Sequence, residues 1–114
     1  MPVVGQLKLH NTGAFVARLG ARWITPGGEE DSIDPGGMGD VDAGQTGSLD
    51  PGEGGCEPGS RVWPWIDVVW GDNLEGSVNE GLIYQPGDPH AALYHSHGTT
   101  LDDHLGFDGI DPPE

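Results

Sequence analysis

A two-sheet antiparallel β-sandwich of about seven strands is the fold class that this sequence predicts, and three observations point to it. Apolar and polar residues alternate along short runs, at the two-residue period of a strand. Gly and Pro, 21 and 10 of the 114 residues, fall mostly between those runs, where they act as turn signals. No stretch sustains the 3.6-residue period of an amphipathic helix. A chain of this length has room for one domain, spanning residues 1–114.

Taken in order, "VVGQLKLHN" alternates, with Val3, Leu7 and Leu9 on one side, and reads as the first strand. The turn "NTG" leads into "AFVARLGARWI", where Phe15, Ala17, Leu19, Ala21 and Trp23 recur at period two opposite Val16, Arg18, Arg22 and Ile24. These two runs and their turn predict a β-hairpin. Residues 25–44, "TPGGEEDSIDPGGMGDVDAG", have no apolar period and predict a long acidic surface loop. "QTGSLD" is a short strand candidate before a second loop, "PGEGGCEPGS". "RVWPWIDVVW" resumes the alternation with Val62, Ile66 and Val68 inward, and Pro64, which has no N–H for a ladder, predicts an edge or bulged strand. "GDNLEGSVNE" reads as a loop, "GLIYQ" as a strand, "PGDP" as a tight turn and "HAALYHSHG" as a strand. "TTLDDHLGFDGI" returns as a short strand before an acidic tail at 109–114.

The formal net charge is -15, with Lys8, Arg18, Arg22 and Arg61 against nineteen acids. Such a field repels phosphate, so nucleic acid and anionic membrane surfaces are poor partners. Neutral lipids, glycans, cations and a separate basic protein partner remain, and acid excess also serves solubility in a salt-adapted source. Cys56, the one cysteine, stands in a Gly/Glu/Pro loop with no histidine near it in sequence and reads as an incidental thiol. No run of about twenty apolar residues occurs, and "MPVVGQLKLHN" does not have the charged start and apolar core of a signal peptide.

Three groups of residues offer chemistry. His95 and His97, two apart on a strand, leave one face, and Asp102, Asp103 and His104 follow the next turn; His95, His97 and His104 are candidate zinc ligands, with hydrogen-bonded strand histidines as the plain alternative. "DPGGMGDVDAG" offers hard oxygen ligands to calcium but departs from the EF-hand spacing, and a solvated loop is its plain alternative. Trp63, Trp65 and Trp70 offer aromatic faces to sugar rings, with Trp63 and Trp65 on one side of their strand; cover for the core is the plain alternative. There is no nucleophile elbow, phosphate loop or Cys-x-x-Cys, so no catalytic residue is assigned and no cofactor is implied. A metal-dependent hydrolase built on the three histidines is the remotest reading.

"HNTGAFVARLGARW" near the start and "AALYHSHGTTL" near the end resemble the opening and closing strands of the C-terminal membrane-recognition β-sandwich of cholesterol-dependent, thiol-activated cytolysins. The residues that carry the resemblance are His10, Gly13, Ala14, Phe15, Val16 and Ala17, then Gly98, Thr99, Thr100 and Leu101. The resemblance implies that Thr100 and Leu101 match the pair that recognises membrane cholesterol, with Trp70 a second contact, and that the protein is secreted. The sequence departs from the family's tryptophan-rich undecapeptide, having "WGDNLEGS" with Trp70 alone in its place, and Cys56 lies too early to stand in for the family thiol. The expected function is a non-catalytic, standalone binding module that contacts sterol-containing membranes or their glycans through tip loops and forms no pore alone. A lectin-like or structural sandwich without sterol binding, associated with Ca2+ or Zn2+, is the alternative.

Overall fold

A computed structural model of the chain describes residues 2–35, 40–77 and 81–112. Its strands stack as two sheets, in agreement with the all-β sandwich class. The larger sheet holds β1 (Val3–Val4), β3 (Ala17–Ile24), β4 (Glu30–Ile33), β5 (Asp40–Val41), β7 (Arg61–Val68), β8 (Asn73–Glu75) and β9 (Ile83–Tyr84). Its order is β1-β9-β7-β3-β4, with β5 also on β3 and β8 also on β7. The smaller sheet holds β2 (Gln6–Asn11), β6 (Thr46–Leu49), β10 (Ala91–Thr99) and β11 (Asp102–Asp111), in the order β11-β10-β2-β6. Two pairings, β1 with β9 and β2 with β10, are parallel, so the sheets are mixed where a wholly antiparallel sandwich was expected. Parallel neighbours need a long crossover, and residues 12–90 supply it for β2 and β10.

The expected opening hairpin does not form. β2 lies in the smaller sheet and β3 in the larger, so the chain crosses the core instead of folding back beside itself. Both strands have a strongly apolar face, and those faces meet: Leu7 and Leu9 look across at Phe15, Ala17, Leu19, Ala21 and Trp23, all within one buried cluster. Asn11 fixes the crossing point. Its fully buried side chain donates to the carbonyls of Phe15 (2.6 Å) and Val41 (3.0 Å), and its Oδ1 accepts from Gly13 N–H and Ser96 Oγ–H, both at 3.0 Å. Buried backbone groups at a sheet-to-sheet crossing have no ladder partner, so one amide side chain satisfies them.

Two further expectations are corrected. Residues 25–44 are not one loop: Thr25–Glu29 makes a tight turn closed by Thr25 N–H to Glu29 O (2.7 Å), β4 then pairs with β3, and β5 follows. β4 reads "EDSI" and buries nothing fully, so backbone pairing rather than apolar burial makes it a strand, and an apolar period could not reveal it. Nor is β7 an edge strand, since β3 flanks it on one side and β8 and β9 on the other. The Pro64 carbonyl accepts Gly76 N–H (2.8 Å) on that second side. In an extended strand N and O of one residue point the same way, so the proline nitrogen faces the break where β9, paired at Arg61, gives way to β8, paired from Trp65. The stretch read as a loop at 71–80 contributes β8; its residues 78–80 lie outside the described residues.

Candidate membrane-contact tip

The loop from β7 to β8 and the turn from β10 to β11 come from different sheets and meet at one end of the sandwich. Trp70 stands on the first and Leu101 on the second, each 93% exposed. Phe107 is the one further exposed large apolar side chain among the described residues, at 40%. Gly71 allows the meeting, because a Cβ there would lie 2.6 Å from Asp103 Oδ2 and 2.7 Å from the Thr100 carbonyl oxygen. Asp103 closes it: this nearly buried carboxylate at the start of β11 accepts Asp72 N–H at 3.1 Å, across the gap between the sheets. A third segment joins them, since Ala14 N–H donates to Gly98 O at 2.9 Å.

Trp70 has φ of 68°, in the left-handed region that bulky residues rarely enter. The tight turn imposes it: Gly71 N–H returns to Val68 O (2.8 Å) and Val68 N–H to Asp72 O (3.1 Å). The strained backbone thus carries the indole outward, away from any packing partner. Thr100 is half-buried beside Leu101. Thr100, Leu101 and Trp70, singled out from the sequence, are therefore brought together. Asp103 and Gly71 were missed as tip residues, because one acid among nineteen and one glycine among 21 carry no signal until the loops are seen to touch.

Trp63 and Trp65 share the outer face of β7, the first buried and the second half-buried. Trp63 is buried, with its Nε1–H donating to Glu75 Oε2 at 2.7 Å. Glu75 also pairs with Arg22 at 3.2 Å, and the Arg22 guanidinium lies 4.0 Å over the Trp65 ring. One face of Trp65 is so occupied by a cation, while its surroundings of Asp34, Pro35, Asp67 and Asn73 line a shallow cleft of about 310 Å³.

The histidines occupy the outer face of the smaller sheet. His97 on β10 is directly opposite His104 on β11, and the His97 ring stacks on both His95 and His104 at 5.1 Å. His95 Nδ1–H donates to Asp108 (2.7 Å) and His104 Nε2–H to Asp102 (2.9 Å). Among the described residues no three His, Cys, Asp or Glu side chains are placed to hold a metal ion together. In the glycine–aspartate stretch, residues 36–39 lie outside the described residues, and Asp40 is ion-paired with Arg18 at 2.8 Å. Cys56 is buried against the core, and that burial pushes its thiol up to about 11. A thiol so held is protonated at neutral pH and a poor nucleophile.

No protein-family model matches the sequence, and no curated protein matches it. Solved structures do. Pneumolysin matches at a TM-score of 0.52 and 20% identity over 92% of this chain and 23% of that one. Listeriolysin O matches at 0.51 and 16% identity over 92% of this chain and 22% of that one. A Gram-negative toxin matches at 0.50 and 15% identity over 96% and 23%. The chain thus spans under a quarter of the length of these toxins, and the likeness at such identities is one of fold. This chain has the fold of the cytolysin C-terminal β-sandwich that its two sequence motifs resemble.

Proposed function

We propose that this chain is a non-catalytic membrane-contact module, acting outside the cell that makes it, which engages sterol-containing membranes through Leu101, Thr100 and Trp70. One observation carries the reading: the two most exposed large apolar side chains among the described residues stand on adjoining loops at one end of an otherwise acidic molecule. Burying a leucine is worth about 1.5–3 kcal/mol, and an indole adds a comparable amount. Two such probes give weak, reversible docking, and the half-buried Thr100 hydroxyl supplies a polar partner at the level of a sterol hydroxyl. Asp72 and Asp102 beside the tip disfavour anionic headgroups, which leaves neutral, sterol-rich surfaces as the target. Nothing in this arrangement makes a pore, which in longer cytolysins is implied to need further domains.

Flotation with neutral liposomes, with and without cholesterol, tests the reading. Wild type is expected to float only with sterol, and Leu101→Asp to remain at the bottom. Equal recovery of the two proteins would rule the tip out. A glycan reading has its own support in the cleft at Trp65, where Asp34, Asp67 and Asn73 offer sugar-binding polar groups beside an aromatic ring. A glycan array probed with wild type and Trp65→Ala tests it; signal common to both would exclude that ring.

A further inference from the structure

Four of the five histidines share the outer face of the smaller sheet. His10 on β2 is in register with His95 on β10, and His97 is in register with His104 on β11. Surface histidines scatter as a rule, and an aligned set on rigid strands is a preorganised set of imidazole nitrogens. We propose that His97 and His104 form a two-imidazole chelate for a borderline divalent cation of the zinc, copper or nickel class.

The geometry is favourable in two respects. Directly opposed residues of an antiparallel pair have Cβ atoms about 4.5–5.5 Å apart, and these two rings lie nearly parallel, 21° between planes and 5.1 Å between centres. Metal–nitrogen bonds of about 2.0–2.1 Å place two tetrahedral ligands about 3.3 Å apart, so both exposed rings must turn out of their stacked arrangement to aim one nitrogen each at a shared ion. Asp102 accepts the Nε2–H of His104, which fixes the tautomer and leaves Nδ1 with its lone pair turned away from the carboxylate. A carboxylate behind a ligating imidazole is the arrangement that orients the ring and raises its basicity at metal sites.

The site is bidentate, because among the described residues no third His, Cys, Asp or Glu side chain converges with these two. Water completes the coordination on the solvent side. His95 lies outside this cross-strand pair: it is two residues from His97 on the same strand, and its ring stacks on the other side of His97. Imidazole donors select zinc, copper or nickel over calcium and magnesium, which take oxygen. The chain's charge of -15 raises the local concentration of any divalent cation.

Isothermal titration of the full chain with zinc chloride at about pH 7.5 tests the proposal. One ion per chain is expected, with His97→Gln and His104→Gln each weakening binding at least about tenfold. His90→Gln, just before β10 and away from the pair, is expected to bind as wild type does. Calcium chloride is expected to give no heat, and zinc binding to vanish at about pH 5, where protons compete for imidazole. Far-UV circular dichroism of each variant separates lost ligands from lost folding. No zinc heat from wild type, full binding by His104→Gln, or loss confined to His95→Gln would each overturn the assignment.

Discussion

Trp70 shows how one residue can be held against its own preference. A non-glycine residue in the left-handed region costs on the order of 1–3 kcal/mol, and the indole gains nothing from the protein in return, being 93% exposed. Trp70→Gly is therefore expected to raise stability by about 1 kcal/mol in urea denaturation while lowering recovery with cholesterol liposomes. A variant that is more stable and binds less would separate fold from contact. Asp103→Ala makes the complementary case, since it leaves both apolar probes in place but removes the acceptor for Asp72 N–H. Its recovery on liposomes is expected to fall although Leu101 and Trp70 are intact; unchanged recovery would show that the loops need no clamp. At this scale the sequence revealed the two exposed apolar side chains and not what holds their loops together. Leucine after two threonines and tryptophan before Gly-Asp are local patterns, whereas the carboxylate of Asp103 acquires its role only from a loop 31 residues away.

Strands with an apolar period were legible, and strands made by pairing alone were not. β3, β7 and β10 bury alternate residues, so their positions could be read directly. β4 and β8 bury no residue fully and exist because β3 and β7 offer them hydrogen-bonding edges, which no periodicity records. The hairpin expected at residues 3–24 fails for a different reason. Turn residues such as Asn-Thr-Gly permit a reversal within a sheet or a step between sheets, and the choice depends on where the two apolar faces can be buried. Asn11 stabilises that step. Replacing it with alanine leaves the Phe15 and Val41 carbonyls without their partner, and a loss of at least about 2 kcal/mol is expected in urea denaturation. A smaller effect would mean that water takes over its bonds.

Across the whole molecule, ionisation is expected to limit stability at high pH. Burial raises Cys56 from 9.0 to about 11, and burial, aided by the hydrogen bond to Asp50, raises Tyr84 from 10.0 to about 12. A group whose folded value lies above its unfolded one stabilises fully below the unfolded value and progressively less above it. Stability is thus expected to be level through neutral pH and to fall from about pH 9 to about pH 12, the chain's existing charge of -15 adding to the repulsion. Cys56→Ala should flatten the portion between about 9 and about 11 in thermal melts taken across that range. An unchanged slope would mean the thiol ionises without opening the core.

The parallel pairing of β2 with β10 has a bearing on how the chain reaches this state. Residues 6–11 are joined edge to edge with residues 91–96, so the smaller sheet has no centre until nearly the last strand arrives. Such distant pairing belongs to topologies that fold over about milliseconds to seconds rather than microseconds. The same seam works in reverse once closed. A protease that nicked the exposed turn at 85–87 would find the fragments still zipped together along β2 and β10, and the tip would stay assembled on a chain already cut in two.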